Sequence, residues 1–504
     1  MVDSDFSRLL AKSCPNSEHP PDWALLSGHL THVDQAASAV LAATGDRQLE
    51  ALGLQPGHWH DRLTRVVRLA ALVHDLGKAN DHFQGMVRWL RSGSQGLRHE
   101  WVTYLILQEA DLQQWLRIAL TDIADWAIVL WSVTGHHPAH NRPSPPREIP
   151  SGTGNGQMRV LMGHPDFGRC LDHIAEAFDL TAPPLFRDVM LPLIRTSRDS
   201  ALARITRASR ESLKTWRGFN DEERRFVAAC KACLVAVDVA GSALPKARGG
   251  SDDLGRWVSK SLDNLPASEH LASLVKERLD GKPVRPFQRD VAEAAGRVVL
   301  VRAGCGTGKT LAAYLRAAKR WPDHRLYFCY PTTGTATEGF RGYLFDPVAG
   351  TSKHHARLFH SRAAIDLEMI VGVRPDEDTT EEQLRLESLS AWSTPIVCCT
   401  VDTVLGLTQN HRRGLYAWPA LAQSAFVFDE IHAYDHRLFG GLLRFIEAMR
   451  GSPILLITAG LPTSYLGVLN ESLARIGESL EEINGPVDQE TLPRYYALEG
   501  QDPF

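Results

Sequence analysis

Residues 297–310 read R-V-V-L-V-R-A-G-C-G-T-G-K-T. A short apolar run enters a glycine-rich loop, and a helical stretch follows, so the segment predicts a strand–loop–helix unit. Gly306 and Gly308 let backbone N–H groups approach phosphate oxygens. In the same loop as Thr307, Lys309 supplies a cation for the outer phosphates and Thr310 a hydroxyl for Mg²⁺. The helix that follows adds the positive end of its dipole. Downstream, L-Y-F-C-Y-P (326–331), P-I-V-C-C-T (395–400), A-F-V-F-D-E (425–430) and P-I-L-L-I-T-A (453–459) are short, apolar and bounded by turn or polar residues. Such runs alternating with helices are buried parallel strands. Residues 286–504 are therefore expected to form an α/β P-loop domain with a mainly parallel sheet.

The chain upstream has a different character. R-L-T-R-V-V-R-L-A-A-L-V-H-D-L-G (62–77) and W-A-I-V-L-W-S-V-T-G-H-H (126–137) carry helix-like apolar spacing without period-2 alternation. Residues 1–245 are expected to be all-α, with 246–285 as a connector. At 504 residues the chain is too long for one ordinary core. A Pro/Ser/Gly-rich stretch at 141–157 reads as a loop, and the acidic run at 376–382 as a solvated insertion. The net charge of −4 does not announce a nucleic-acid binder, although a local basic groove would suffice for one. The eight cysteines show no disulfide-framework or zinc-ribbon spacing, and Cys230-x-x-Cys233 lies in an apolar helical stretch. No secretory signal is visible and no apolar run approaches the ~20 residues of a membrane span, so a cytoplasmic location is expected.

Polar residues of one kind recur through the helical half. His74-Asp75 ends an apolar helix, where an inward-facing pair needs a reason, and Lys78 follows four residues later. His60-Asp61, in a polar stretch, reads as surface. His29, His74-Asp75, His99, His136-His137 and Asp238 stand in the words S-G-H-L-T-H-V, A-L-V-H-D-L-G-K, R-H-E-W, T-G-H-H and V-D-V-A-G-S. In order and context they resemble the HD phosphohydrolase superfamily. The opening L-L-A-K-S (9–13) followed by S-G-H-L-T-H-V (27–33) further resembles the nuclease domain of CRISPR-associated nuclease–helicases of type I systems. The resemblance implies that this set holds one or two divalent metals bridged by Asp75, with Lys78 near the scissile phosphate. His32, three residues after His29, competes with it for the ligand position. Imidazole-rich ligation suits transition metals, and iron, manganese, cobalt and nickel all satisfy this donor set.

The second half is similar to superfamily 2 helicases, in which Ala303 is expected at the head of the phosphate loop. P-F-Q-R-D (286–290) resembles the adenine-reading segment, with Gln288 bonding the base. D-E-I-H (429–432) resembles the second motif: Asp429 holds Mg²⁺ through water, Glu430 polarises the attacking water and His432 couples the site to its neighbour. Thr332 in Y-P-T-T and Thr400 in C-T-V-D-T-V resemble the residues that grip a strand's phosphates. T-A-G-L-P (458–462) stands where a Ser-Ala-Thr segment is usual, and Gly460 lacks the hydroxyl expected there. Only one RecA-like lobe is legible, so a second lobe, in cis or in trans, is expected to complete the motor.

The resemblance implies a nuclease that degrades a displaced single DNA strand, typically 3′ to 5′, when recruited by an RNA-guided CRISPR surveillance complex, with Mg-ATP at the P-loop. The competing expectation is an HD nucleotide phosphohydrolase or DNA-repair enzyme with a regulatory ATP-binding module.

Overall fold

The computed structural model describes residues 6–14, 19–90, 97–137, 156–193, 200–248, 253–263, 266–346, 351–353, 355–360 and 388–486. The expected acidic insertion at 376–382 and nearly all of the loop at 141–157 lie outside the described residues. Contacts divide the chain into two compact units, one running to Leu262 and the other beginning at Asp263, apart from short exchanged segments.

The first unit is helical: α1 (Leu26–Ala51), α2 (Pro56–Val73), α3 (Asp81–Val87), α4 (His99–Ile106), α5 (Ala110–Arg117), α6 (Asp125–Thr134), α7 (Pro165–Phe178), α8 (Ala201–Gly218), α9 (Asp221–Arg248) and α10 (Leu254–Leu262). Helix α2 starts at Pro56, where a missing N–H costs nothing. It buries Leu63, Val66, Val67 and the whole run Leu69–Val73, and it packs on α6 and α9. Each fully buried aliphatic side chain contributes roughly 1.5–3 kcal/mol, enough to fix the depth at which α2 ends. Helix α9 continues through Pro245 to Arg248. By length and composition its segment Asp221–Lys246 could cross a membrane, yet 83% of that apolar window is buried in the folded protein. One feature departs from the all-α expectation: a two-stranded antiparallel ribbon of β1 (Gln157–Val160) and β2 (Val189–Pro192).

The second unit holds the expected sheet. It comprises β3 (Val298–Arg302), β4 (Arg325–Tyr330), β5 (Phe345–Asp346), β6 (Thr351–Ser352), β7 (Ala356–Phe359), β8 (Ile396–Thr400), β9 (Ser424–Phe428), β10 (Ile454–Thr458) and β11 (Glu481–Asn484). Seven strands pair in the order β11-β3-β10-β9-β4-β8-β7, every pair parallel. β5 and β6 form a separate antiparallel pair. The central strands are buried along their whole length, which is why they read as continuous apolar runs rather than alternating ones. Helices α11 (Ser268–Leu279), α12 (Pro286–Glu293), α13 (Lys309–Arg320) and α14 (Thr333–Tyr343) follow the chain around this core. The buried Arg316 guanidinium donates to the carbonyls of Val291, Ala294 and Gly296 at 3.0, 2.6 and 3.0 Å, tying α13 to the end of α12.

Candidate metal centre and nucleotide cradle

Helix α2 ends at Val73, and His74 is its C-cap. Asp75 leaves the helical path and Lys78 closes a short 3₁₀ turn, Leu76–Lys78. Lys78 thus reaches the site from a turn and not from the helix that His74 caps. Its Nζ lies 2.6 Å from Asp75 Oδ2. The turn is seated by Thr103 of α4, whose hydroxyl donates to the His74 carbonyl at 2.9 Å and accepts from Gly77 N–H at 2.8 Å. A Cβ on Gly77 would meet the His99 carbonyl oxygen at 2.1 Å, so only glycine lets the turn approach α4 this closely.

Asp75 is the hub. Its Oδ2 lies 2.9 Å from His29 Nε2 and 3.3 Å from His74 Nε2; its Oδ1 lies 3.2 Å from His99 Nε2 and 3.6 Å from His136 Nε2. Asp238 Oδ1 stands 3.7 Å from His29 Nε2 and 3.5 Å from His74 Nε2. His137 Nε2 completes the far side, 2.9 Å from His99 Nε2. Three overlapping groups that could hold a metal ion result: Asp75, His99, His136 and His137; His29, His74 and Asp75; His74, His136 and Asp238. His32 is turned away, its Nε2 3.1 Å from Asp22. His60 pairs with Asp46 at 2.6 Å, outside the cluster.

The donor set suits a divalent cation. His74 Nδ1 donates to the Ala71 carbonyl at 2.8 Å and His136 Nδ1 to the Val133 carbonyl at 2.5 Å, which leaves each Nε2 as the lone-pair nitrogen a metal requires. Those two nitrogens and Asp75 Oδ1 are buried without a hydrogen-bond partner. Burial disfavours charge on Asp75, but Lys78, His74 and His99 hold it well below the usual carboxylate range. For His74, the Asp75 and Asp238 carboxylates outweigh burial and push it up to about 10. Burial drives His29 down to about 3 and lowers His99 and His137. The result is two ionised carboxylates beside neutral imidazoles at His29, His99 and His137, and the proton that the carboxylates hold on His74 is the one a bound cation would replace.

Sequence reasoning missed the supports. Ser242 Oγ donates to Asp238 Oδ1 at 3.1 Å, while the Ser242 carbonyl accepts from Lys12 Nζ at 3.0 Å. One signal was available for Ser242: it lies one turn after Asp238, on the same helical face. Thr103 carried none.

In the second unit the motifs gather at the carboxyl ends of the parallel strands, where ligands bind in open α/β sheets. The phosphate loop links β3 to α13. Gly306 and Gly308 have φ of +72° and +91°, and a Cβ on Gly308 would lie 2.6 Å from Gln288 Nε2. Gln288 packs on the loop itself: its Oε1 accepts from Arg285 N–H at 3.1 Å and its Nε2 donates to the Gly308 carbonyl at 3.3 Å. Thr307 Oγ1 donates to the Gly304 carbonyl at 2.8 Å. Lys309 Nζ donates to the Ala303 carbonyl at 2.8 Å and stands 3.6 Å from Glu430. Thr310 lies in the first turn of α13.

Asp429 and Glu430 leave β9. Burial, with Glu430 beside it, pushes Asp429 up to about 7, and Glu430 is held at φ +47°, a strained backbone of the kind found at functional sites. These features fit a bound nucleotide with its cation. His432 Nδ1 lies 3.1 Å from Thr458 Oγ1 and 3.1 Å from Glu430. A hydroxyl does therefore meet His432, from Thr458 rather than from the position of Gly460. Thr332 caps α14, accepting from Thr335 N–H at 3.2 Å. Thr400 ends β8 with its hydroxyl 3.5 Å from that of Thr403.

A helical unit built on a His-Asp cluster, followed by a parallel-sheet unit with a P-loop and a D-E-I-H segment, defines an HD domain joined to a helicase domain. Family models agree: the Cas3 HD domain matches residues 10–216 and the DEAD/DEAH box helicase matches residues 285–466. A putative CRISPR-associated nuclease/helicase Cas3 of Myxococcus xanthus is 43% identical over 514 residues, covering 99% of this chain and 65% of the relative. The Cas3 of Streptococcus thermophilus is 25% identical over 265 residues, covering 48% of this chain and 28% of its own length. The crystal structure of T. fusca Cas3 shares the fold, with a TM-score of 0.55 at 18% identity over 94% of this chain and 52% of that one. The chain is a close homologue of the Cas3 nuclease/helicases, with a Cas3 HD domain followed by a DEAD/DEAH box helicase domain. It spans 65% of the Myxococcus relative and about half of the T. fusca chain.

Proposed function

We propose that residues 1–245 act as a metal-dependent nuclease on single-stranded DNA, joined through 246–285 to a Mg-ATP-binding helicase lobe at 286–504. The observation that carries this reading is the placement of Asp75. One of its oxygens faces His29 and His74 and the other faces His99 and His136, so both sides of the carboxylate could take part in holding divalent metal. Divalent cations at such a centre activate a water and neutralise the leaving oxygen of a phosphodiester. His29, His74, His99, His136, His137 and Asp238 hold their ring nitrogens and carboxylate toward that centre. Lys78, seated on Asp75, stabilises charge on the scissile phosphate or passes a proton.

In the second unit Gly306, Thr307, Gly308, Lys309 and Thr310 cradle the phosphates, and Gln288 reads the base from beside the loop. Asp429 would hold Mg²⁺ and Glu430 would orient the attacking water. His432, through Thr458, relays the state of the site, and Thr332 and Thr400 grip the strand. A second helicase lobe, in cis or in trans, belongs to this reading, because a motor of this class closes ATP between two lobes. The wider role is degradation of a displaced DNA strand in type I CRISPR interference, in the cytoplasm, with an RNA-guided surveillance complex as partner.

Circular single-stranded DNA and free deoxynucleoside triphosphates, each incubated with Mn²⁺, Co²⁺ or Ni²⁺, test the reading. Cleavage of the circle is expected. Phosphate release from nucleotides without cleavage of the circle would favour a nucleotide phosphohydrolase instead.

A further inference from the structure

Helices α4 and α6 each present a histidine of the metal centre at one end: His99 opens α4, and His136 follows α6. At their opposite ends they line a cavity of about 420 Å³, with Tyr104 and Leu105 from α4, Trp126 and Leu130 from α6, and Arg204 and Arg207 from α8. Ten residues separate Trp126 from His136, roughly 15 Å along a helix, so the cavity is distinct from the cluster. Trp126 is 5% exposed, and its Nε1–H has no hydrogen-bond partner; the Nε2 of Gln108, another lining residue, is also buried without one. An orphaned buried donor costs about 1–3 kcal/mol, which a ligand bearing acceptors would recover. The charged lining is mixed. Arg207 is exposed, Arg204 lies 3.5 Å from Glu109, and the one carboxylate of the lining, Glu211, is engaged by Lys214 at 3.0 Å.

We propose that this cavity binds a nucleoside monophosphate. The acceptor edge of the base lies on the Trp126 and Gln108 N–H groups, and the phosphate on Arg207 and Arg204. Aromatic and aliphatic walls around a few N–H donors suit a planar base, and guanidinium forks suit phosphate. The assignment of the ligand rests on the nuclease reading, under which this unit releases such nucleotides, whereas the cavity and its donors do not.

Titration of the whole chain with dAMP, dCMP, dGMP and dTMP, in EDTA and with the P-loop saturated by ADP, tests the proposal through tryptophan fluorescence and calorimetry. The parent is expected to bind one equivalent, and the nucleoside alone or inorganic phosphate alone to bind at least tenfold more weakly. Trp126→Phe keeps a ring but loses the donor, and is expected to weaken binding about fivefold, the worth of one hydrogen bond. Arg207→Glu, on an exposed helical face, is expected to weaken it at least as much, and Asp75→Ala to bind as the parent does. No binding by the parent, or equal binding by both cavity variants, would overturn the proposal. Cleavage of DNA without nucleotide binding would sink this inference alone. Binding without cleavage would sink the nuclease reading and uphold the cavity.

Discussion

Asp75 divides its two oxygens between two pairs of imidazoles, and His29 and His32 show how narrowly a ligand is chosen. They lie three residues apart on α1, yet His29 meets Asp75 and Asp238 while His32 meets Asp22. The spacing alone left both open; the deciding partner, Asp22, sits in a preceding turn that no periodicity reveals. His29→Ala is expected to remove at least half of the bound metal, and His32→Ala to leave it at the parent level, as elemental analysis of the purified proteins would show. Cys305 supplies a second check at this scale. It is the exposed thiol of the phosphate loop, whereas Cys170, Cys230, Cys233, Cys329, Cys398 and Cys399 are buried, and burial pushes Cys233 up to about 12. Iodoacetamide is expected to modify Cys305 ahead of those six. Mg-ATP at about ten times its Kd should slow that reaction roughly tenfold, read by peptide mass spectrometry.

Among the elements, the turn that carries Asp75 depends on a residue with no catalytic chemistry. Thr103 joins the His74 carbonyl to the Gly77 N–H from within α4, whose first residue is His99. Thr103→Val keeps the shape but orphans both backbone groups, and is expected to cost about 1–3 kcal/mol in urea unfolding and to weaken metal binding. Thr103→Ser is expected to restore both. Nothing in the string A-L-V-H-D-L-G-K announced that support, because it comes from a helix 26 residues away in sequence. The strands teach the complementary lesson. β3, β4, β8, β9 and β10 were legible because both faces are buried and the runs are continuously apolar. The edge strand β11, E-E-I-N, is half-exposed, and β1 and β2 have four residues each, too few to display a period. The missing hydroxyl at Gly460 suggested no partner for His432, yet Thr458, two residues earlier, supplies one at 3.1 Å, because a motif string does not tell which of its residues points inward.

Over the whole molecule, the two units differ in what they bring. The first brings His29, His74, His99, His136, His137 and Asp238 together around Asp75, and the second brings the phosphate loop, Asp429 and Glu430 together at the carboxyl ends of parallel strands. Both arrangements were readable from the order of their motifs, because chemistry-bearing residues cluster at helix ends and strand ends, which the apolar pattern locates. Everything proposed for the first unit turns on whether Asp75 and its histidines would hold the divalent metal that DNA cleavage needs. The most direct measurement is metal stoichiometry alongside cleavage of circular single-stranded DNA, for the parent and for Asp75→Ala with its fold verified by circular dichroism. Up to two ions per parent chain are expected, with loss of both metal and cleavage in the variant. Equal metal content and equal cleavage in the two proteins would contradict this expectation.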